Sequence, residues 1–488
     1  MNSFIQISSD NSSLKQERKI LHKYLDIIID YLSENKKPNK KVLNYQDANT
    51  LKQKINLTLP EKGKSLEVLI PLIELYLEYS VRTGNRQFLN HLWGGLEISG
   101  LLAEMITTVT NTSMTLYESA PVALLMEQEI IAAFNKLIGF DAGEGLMVTG
   151  GSNGNLIAML CGRNRYLPQA KSQGLKDNCL VAFVSDQSHF SFLKAANVLG
   201  VGIKNIIKIK SDFQGRMIPE ELEVAIKASY EAEKTPFFVG ATAGTSVLGA
   251  FDPILSIAQI TQKYNLWLHI DGAWGGPVLF SQKHKHLLAG SNLADSFSWD
   301  AHKLMGVPLI CSVFLAKEKG ILSQTCSSYG TDYVHDQENS TNDYNPVQMS
   351  LQCSRRVDSL KLWLSWQTHG YLGYEKMINH LFDLAKYTTE YIRNCKYLEL
   401  MVEPEFLNIC FRYNPSDDSI SLNLLDQINI EIRNHLLHSG ETFVNYAHYK
   451  DRVVIRLILT NLNLETTDID RFFGNLLVAG NLCYQEIK

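Results

Sequence analysis

The sequence predicts an α/β protein with a mostly parallel central sheet covered by helices on both faces, followed by a small α+β unit. Between about residues 145 and 317, short and nearly continuous apolar segments alternate with segments that show helical spacing. Such strands are typical of a parallel sheet that is buried on both faces. The 488-residue chain, with 45% hydrophobic and 20% charged residues, is long enough to bury a large core.

Two helices are predicted near the N-terminus, at residues 17–32 and 64–81, because apolar residues recur there with helical spacing. The segment GNRQFLNHLWGG (84–95) then interrupts the pattern with glycines and with aromatic and polar side chains. We expect these first helices to form an arm that packs on another surface.

The middle of the chain supplies the strands of the sheet and the helices that cover it. The expected strands are GLMVTGG, CLVAFVSD, IKNIIKIK, TPFFVGATAGT, LWLHIDGA and VPLICSVFLAK. The expected helices are NGNLIAMLCGRNRYL, HFSFLKAANVLG, PEELEVAIKASYEAEK and DPILSIAQITQKYN. A sheet of this kind places its ligands at the carboxyl ends of the strands. From about residue 370, a long helix followed by LNICFRYN and DRVVIRLILT predicts the smaller α+β domain.

Charge and cysteine content narrow the class of protein. A formal charge of -5 and a pI near 6.2 argue against a nucleic acid or an anionic membrane as partner. The N-terminus lacks the apolar core of a secretory signal, and the apolar stretches are too short to span a bilayer. No C-x-x-C pair occurs, so we expect no zinc site, no other metal site and no disulfide framework, and we expect a cytoplasmic location. The eight cysteines are at 161, 179, 311, 326, 353, 395, 410 and 483.

A glycine-rich turn, TGGSNGN (149–155), lies between the first strand and its helix. Gly151 lets the backbone approach a ligand, Ser152 and Asn153 can donate hydrogen bonds to phosphate oxygens, and the helix N-terminus favours an anion. Glycine turns between a strand and a helix are common, so alone this motif is a weak signal.

Polar residues also follow the next strands. SDQSHFS offers His189, and TAGTSVLGAFD offers Thr242, Ser246 and Asp252. Asp271 ends a very apolar strand, where a carboxylate needs a cation or donors to stay ionised. Each of these has an ordinary alternative, such as a packed histidine, a helix cap or a structural ion pair.

Lys303 lies just ahead of an apolar segment, where a lysine is costly to bury without a partner. In combination, the residues match the needs of pyridoxal 5'-phosphate. The glycine turn can hold the phosphate, His189 can stack on the ring above the small Ala273, and Asp271 can pair with the ring nitrogen. The amine of Lys303 can form a Schiff base with the aldehyde, the internal aldimine of such enzymes.

The chain also resembles the group II pyridoxal-phosphate-dependent decarboxylases, most closely the branch of glutamate, cysteine sulfinate and aspartate decarboxylases. The resemblance runs from about residue 42 to the end, and its most specific part is the D-x-H-K signature at 300–303 with H-x-D-x-A-W-G-G upstream. Other segments that carry it are YSVRTGNRQFLNHLWGGL, TLYESAPVALLMEQE, ATAGTSVLGAFDPI and CSRRVDSLKLWL.

The resemblance implies an aspartate-aminotransferase-like fold (fold type I) and a homodimer with the active site at the subunit interface. It implies an N-terminal helical arm that wraps the partner (1–110), a large cofactor-binding domain (111–370) and a small C-terminal α+β domain (371–488). It assigns Lys303 as the Schiff-base lysine, Asp271 as the partner of the ring nitrogen and His189 as the stacking residue. It places Ser152, Asn153 and His302 around the phosphate.

In that family a tyrosine on a mobile loop of the other subunit is the usual acid that protonates the substrate carbon. Here the loop 329–353 matches the branch poorly and contains Tyr329, Tyr333 and Tyr344. We take Tyr344 as the candidate general acid. The alternatives are Tyr333 or no tyrosine acid at all, and Tyr344 could instead be an ordinary interface aromatic.

Two residues are candidates for substrate recognition. Arg456 in VVIRLILT matches the family segment whose arginine binds a substrate carboxylate, although a structural ion pair is an alternative role. His91 in FLNHL stands where the acidic-substrate branch has glutamine, and it could donate to a carboxylate or suit a different side chain.

The sequence therefore predicts a cytoplasmic, homodimeric pyridoxal-phosphate-dependent carboxy-lyase. Its expected substrate is an acidic L-amino acid: glutamate, aspartate or cysteine sulfinate. Three alternatives stay open, namely an aldehyde synthase or aminotransferase-like reaction, a decarboxylase of diaminobutyrate or an aromatic amino acid, and a non-enzymatic anion-binding protein.

Overall fold

The computed structural model describes residues 11–176, 179–328, 344–417 and 419–487, with the side chains of 11–13 left aside. All structural statements below concern this part of the chain. No helix within it is both long and apolar enough to cross a membrane.

Five helices precede the central sheet. They are α1 (Asn11–Asn35), α2 (Ala48–Lys54), α3 (Leu66–Tyr79), α4 (Ile98–Thr110) and α5 (Pro121–Ile138). Both predicted N-terminal helices are present, as α1 and α3. Large apolar side chains on them face solvent in the isolated protomer, for example Leu21, Ile29, Val68 and Tyr76. These two helices therefore present apolar surface that the rest of the protomer does not cover.

The central sheet has seven strands in the order β1-β7-β6-β5-β4-β2-β3. The four pairings among strands β2 to β6 are parallel. Strand β7 runs antiparallel to both of its neighbours, β6 and β1. The mostly parallel sheet predicted from the sequence is thus confirmed. The strands are β1 (Glu144–Val148), β2 (Leu180–Ser185), β3 (Ile206–Ile209), β4 (Thr235–Thr242), β5 (Trp267–Asp271), β6 (Ser296–Asp300) and β7 (Ser312–Ala316).

Helices cover both faces of this sheet. Successive residues of a strand point to opposite faces, so each strand contributes apolar side chains to both layers of helices. On β2, Val181 and Phe183 belong to one core, whereas Ala182 and Val184 belong to the other. The helices between the strands are α6 (Gly151–Tyr166), α7 (Ala170–Gln173), α8 (Ser191–Val198), α9 (Pro219–Glu231) and α10 (Ile254–Lys263). Residues of α6 and α8 fill the second core, and residues of α9 and α10 fill the first.

The C-terminal unit contains the four-stranded sheet β10-β11-β9-β8, in which every pairing is antiparallel. Its strands are β8 (Leu398–Leu400), β9 (Asn408–Tyr413), β10 (Asn445–Tyr449) and β11 (Arg452–Ile458). The remaining helices are α11 (Ile321–Cys326), α12 (Ser359–Asn394), α13 (Leu422–Ser439) and α14 (Thr466–Ile487). Helix α12 is kinked at Gly370, where φ is 61°.

The expected elements differ from the structure at a few places. No strand was expected at residues 295–300, where the structure has β6. The strand expected from Val307 begins only at Ser312, because residues 307–311 form the connection that follows Lys303. The long helix expected from about residue 370 is present after the kink at Gly370, and a further helical segment that begins at Ser359 precedes the kink.

Candidate active site

One cavity of about 300 Å³ lies at the carboxyl ends of the parallel strands, a volume suited to a small ligand. The predicted site residues that line it are Gly151, Ser152, His189, Ser246, Asp271, Ala273, His302 and Lys303. Asn153, His91, Arg456 and Tyr344 lie outside its lining. The structure therefore brings most of the predicted residues together and leaves four of them outside the cavity lining.

The N-terminus of α6 forms one wall of the cavity. Gly150 caps the helix with φ at 101°, a left-handed value that favours glycine, and Gly151 and Ser152 begin the first turn. A Cβ on Gly151 would lie 3.0 Å from both the Cβ of Ala273 and the Oδ2 of Asp300. The first N–H groups of a helix have no partner within it, so this turn is a suitable cradle for an anion.

Asp271 ends β5 and is 6% exposed. The side-chain amide of Asn155 donates to its Oδ2 at 2.7 Å, and the backbone N–H of Ala273 donates to its Oδ1 at 3.2 Å. Hydrogen bonds of this kind stabilise a buried carboxylate as an anion. The site thus offers a fixed negative charge to a cationic group of a ligand.

Lys303 follows β6 by three residues, and its Nζ lies 3.0 Å from the Oδ2 of Asp300. Burial by itself would raise the pKa of Asp300, but the neighbouring positive charge of Lys303 lowers it more, so that this pKa lies below its ordinary value. Asp300 is therefore the ionised partner that makes a lysine tolerable here.

Two histidines complete the cavity. His189 is half-buried, and its Nδ1 lies 2.9 Å from the hydroxyl of Ser191. His302 is buried, with its Nδ1 2.9 Å from the carbonyl oxygen of Cys311. Burial lowers the pKa of both imidazoles. Neutral rings are consistent with stacking or hydrogen bonding rather than with service as cations.

Asp252, one of the polar residues after β4, has a different environment. Its carboxylate is buried and accepts hydrogen bonds from the backbone N–H groups of Met217 and Thr242, at 2.6 and 2.7 Å. It therefore ties the segment before α9 to the end of β4 and is not part of the cavity wall.

Several cavity residues escaped the sequence analysis. Asn155 and Asp300 contact Asp271 and Lys303, and Leu92 and Trp93 line the opening together with Leu309 and Ile310. Asp300 is the first letter of the D-x-H-K signature, so a role for it could have been assigned from the sequence. Asn155 is the last residue of the TGGSNGN motif, but the sequence analysis gave it no role of its own.

Arg456 lies on β11 and reaches toward the cavity from the small domain. Its Nη1 donates to the carbonyl oxygen of Ser246 and its Nη2 to that of Asn90, both at 2.8 Å. Its Nε is buried without a hydrogen-bond partner in the described part of the chain. Because the recorded partners are backbone carbonyls, the ion-pair alternative finds no carboxylate among the described residues.

His91 stacks on Trp93 with ring centroids 5.0 Å apart and an angle of 3° between the planes. Partial burial and, second, the positive charge of Arg456 lower the pKa of His91. Since Trp93 lines the cavity, His91 lies one layer behind its wall.

Tyr344 is 40% exposed, and its ring lies 5.4 Å from that of Tyr117. It does not line the cavity of its own protomer. Tyr329 and Tyr333 lie outside the described residues. A role for Tyr344 in catalysis would therefore need the cavity of a second subunit.

The residues present fit pyridoxal phosphate. The cavity combines an anion cradle, a fixed carboxylate, a flat imidazole and a lysine amine, which are the groups that the phosphate, ring nitrogen, ring face and aldehyde need. In addition, the Thr242 hydroxyl at the cavity wall is buried and has no hydrogen-bond partner within the described ranges. This free hydroxyl is available to a bound ligand.

Comparisons with known proteins point the same way. Residues 49–414 match the pyridoxal-dependent decarboxylase conserved domain. The crystal structure of mouse CSAD, a cysteine sulfinic acid decarboxylase, is 35% identical, with 97% of this chain and 99% of that chain covered and a TM-score of 0.93.

More distant structures share the fold. The crystal structure of Oryza sativa TDC with pyridoxal phosphate (PLP) and tryptamine is 21% identical, with 98% of this chain and 99% of that chain covered and a TM-score of 0.88. Rhodiola rosea 4-hydroxyphenylacetaldehyde synthase is 22% identical over 97% and 99%, with a TM-score of 0.84.

Proposed function

Because the chain belongs to the pyridoxal-dependent decarboxylase family and is a pyridoxal-phosphate-dependent carboxy-lyase, we propose that it decarboxylates an acidic L-amino acid. The observation that carries this proposal is the convergence of Lys303, Asp271, His189 and the α6 N-terminus on one cavity, with Arg456 hydrogen-bonded to the carbonyl oxygen of Ser246 in the cavity wall. The 35% identity to mouse CSAD supports an acidic substrate such as cysteine sulfinate, glutamate or aspartate.

Each group of the cofactor has a candidate partner. Gly151, Ser152 and His302 would hold the phosphate with the N-terminus of α6, and Asn153 would add a donor at its edge. Ser246 and Ala273 would flank the ring, which His189 would cover. When bound, pyridoxal phosphate supplies an electron-deficient ring that takes up the electron pair left by the departing carboxylate.

The side chains then divide the work. Asp271 would place a negative charge opposite the ring nitrogen of the cofactor. Lys303 would provide the amine that binds the aldehyde of the cofactor. Asp300 would hold the ammonium form of Lys303 when this amine is not bonded to the cofactor, since Nζ and the carboxylate lie 3.0 Å apart.

Substrate selection falls to Arg456. Two N–H groups of the Arg456 guanidinium donate to backbone carbonyls, which fixes its position. Its buried Nε–H has no partner within the described residues and is available to a carboxylate or sulfinate. His91 would support the same anion from behind Trp93, and neutral imidazole can still donate one hydrogen bond.

A proton must reach the substrate carbon after CO2 has left. We assign Tyr344 as the acid, acting in the cavity of the other subunit, because it is partly exposed and does not line its own cavity. The exposed apolar faces of α1 and α3 support the homodimer, since uncovered patches of this kind mark interfaces.

The same proposal includes the division of the chain and its location. Residues 1–110 would be the arm that wraps the partner, 111–370 the cofactor domain and 371–488 the small domain. The last boundary is next to the kink at Gly370, and the first follows the end of α4 at Thr110. A cytoplasmic location agrees with eight free cysteines.

A product assay tests the proposal. Purified protein with pyridoxal phosphate is given glutamate, aspartate, cysteine sulfinate, diaminobutyrate and aromatic amino acids, and CO2, amine, aldehyde and ammonia are measured. CO2 with an intact amine from the acidic substrates is the expected result. Aldehyde with ammonia would support the aldehyde synthase alternative, and turnover of diaminobutyrate or aromatic substrates alone would contradict the acidic preference.

A further inference from the structure

A row of polar side chains crosses the core beneath the cavity. Trp267, Ser296, His269, Asn155 and Asp271 are all buried, and His269 and Ser296 have no exposed surface. We call these five residues the donor chain. Polar groups buried this deeply are costly unless they are hydrogen-bonded, so their pairing needs a physical explanation.

Consecutive members of the donor chain are within hydrogen-bond distance. The indole Nε1 of Trp267 donates to the hydroxyl of Ser296 at 2.9 Å, and this hydroxyl lies 2.9 Å from the Nδ1 of His269. The Nε2 of His269 lies 2.9 Å from the Oδ1 of Asn155, whose Nδ2 donates to Asp271 at 2.7 Å.

The two ends fix the direction of every bond between them. An indole N–H can only donate and an ionised carboxylate can only accept, so each intermediate group accepts from the Trp267 side and donates toward Asp271. His269 must therefore carry its hydrogen on Nε2 and accept from Ser296 on Nδ1. The ring of His269 is neutral, since burial lowers its pKa to about 3.

The surroundings of His269 leave it few other partners. Phenyl rings of Phe192, Phe238 and Phe314 lie with centroids 6.2, 6.1 and 6.3 Å from the imidazole. The hydroxyl oxygen of Ser298 lies 3.4 Å from Nε2 and can accept a second, longer hydrogen bond from the same N–H. In this apolar enclosure the Oδ1 of Asn155 is the nearest acceptor for Nε2–H.

The orientation of the Asn155 amide is what the donor chain transmits. With Oδ1 held by His269, Nδ2 faces Asp271 and the hydroxyl of Ser191, 2.9 Å away. Ser191 in turn contacts the Nδ1 of His189. A rotated amide would set its oxygen against the carboxylate, two acceptors without a hydrogen between them.

We propose that His269 and Asn155 are positioning residues of the reaction: the donor chain holds the Asp271 carboxylate oriented and ionised for the ring nitrogen of pyridoxal phosphate. This inference rests on the proposed function, because it takes Asp271 as the partner of that nitrogen. It assigns to these two residues an influence on the strength of the Asp271 contact that they exert through hydrogen bonds, Asn155 directly and His269 through Asn155.

Cofactor binding to the full-length apoprotein tests the inference without a measurement of turnover. The dissociation constants of pyridoxal phosphate and of its 1-deaza analogue, in which C–H replaces the ring nitrogen, are measured by fluorescence titration. Their ratio reports the contact between the nitrogen and Asp271. The matched variants are His269→Phe, which removes the donor, and His269→Gln, which keeps an N–H near the position of Nε2.

The wild type should prefer pyridoxal phosphate over the analogue, and His269→Phe should reduce this preference about tenfold, as expected for a weakened hydrogen bond to a charged group. His269→Gln should restore most of it, and affinity for the analogue should be unchanged in both variants. An unchanged preference in His269→Phe, or an equal loss of affinity for both ligands, would overturn the positioning role.

A second variant protects the test against misfolding. Asn155→Asp has the same size and replaces the donor with a carboxylate, so it should also reduce the preference, and an unchanged ratio would contradict the inference. A wild-type protein that binds both ligands equally would instead contradict the assignment of Asp271 in the proposed function. The two failures are therefore distinguishable.

Discussion

At the scale of single residues, the proposed chemistry of the cavity rests on Lys303 and Asp271, and each has a neighbour that contacts its charged group. Asp300 compensates the charge of Lys303 at 3.0 Å, and Asn155 donates to Asp271 at 2.7 Å. Removal of either neighbour would leave a buried charge with fewer partners, which is more costly than the loss of the contact itself. Substitution of Asp300 or Asn155 should therefore lower the stability of the protein as well as disturb cofactor binding.

Replacement of Asp271 by Asn should lower kcat by about 10²–10³, the cost typical of a lost charge-stabilising group in an active site. The amide has nearly the same shape but carries no negative charge for the ring nitrogen. Steady-state kinetics with saturating cofactor measure the effect. A near-normal kcat in Asp271→Asn would remove the proposed role of this carboxylate.

Arg456→Ala should raise KM for acidic substrates by about 30-fold or more, the scale of 2–5 kcal/mol for a truncated buried charge pair. Arg452→Ala is the matched control, since Arg452 is on the same strand and pairs with Asp426 at 3.5 Å. Kinetic comparison of acidic and uncharged substrates provides the measurement. If both variants retain the same preference, Arg456 does not select the substrate.

Sequence reasoning found the residues whose type is unusual for their place and missed those that support them. A lysine before an apolar segment and an aspartate at the end of an apolar strand are visible in the sequence. Asn155 is an ordinary polar residue in α6, and its importance comes from the contact with Asp271, which is 116 positions away. No local pattern contains that pairing.

At the scale of secondary-structure elements, the close packing of α6 against β6 positions the anion cradle. A Cβ on Gly154 would lie 2.3 Å from the hydroxyl of Ser298, so only glycine lets the helix pack at this distance. The same contact brings Gly151 and Ser152 beside the carboxyl ends of the strands. The glycines of TGGSNGN therefore serve packing as well as ligand access.

Gly154→Ala should lower the free energy of unfolding by about 1–3 kcal/mol, the range for overpacking in a core, and should weaken cofactor binding as α6 shifts. Gly474→Ala is the control: it lies in α14, and no atom is within 4 Å of its added Cβ. That substitution should be neutral or stabilise by up to about 1 kcal/mol. Denaturant unfolding measures both, and equal stability of the two variants would contradict the packing argument.

The elements that the sequence did not reveal are those whose residues serve the site. In β6, Phe297 and Trp299 alternate with Ser296, Ser298 and Asp300, which is the period of a strand. The three polar residues face the donor chain and the cavity, so the segment reads as polar although all five residues are buried. The antiparallel direction of β7 is likewise set by its partners β6 and β1 rather than by its own sequence.

At the scale of the whole molecule, the proposed active site combines residues of two subunits. The cavity contains Lys303 but not Tyr344, and α1 and α3 expose apolar surface. The resemblance to a family supplied the expectation of a dimer, because no residue pattern within one chain reports on a second copy. The account therefore predicts behaviour that only mixed assemblies can show.

Co-expressed Lys303→Ala and Tyr344→Phe subunits should recover activity that neither homodimer has. A mixed dimer has one site with a native Lys303 and a native Tyr344 from the other subunit, so random pairing should give about a quarter of wild-type activity. Amine and CO2 release measure it. Inactive mixed dimers, purified with two different tags, would contradict a Tyr344 that acts across the interface.

The most direct test of the central claim is to reduce the protein with borohydride in the presence of pyridoxal phosphate and to map the labelled peptide by mass spectrometry. The account predicts a stable pyridoxyl adduct on Lys303 and no adduct on that peptide in Lys303→Ala. A label on a different lysine, or no label at all after incubation with the cofactor, would contradict it.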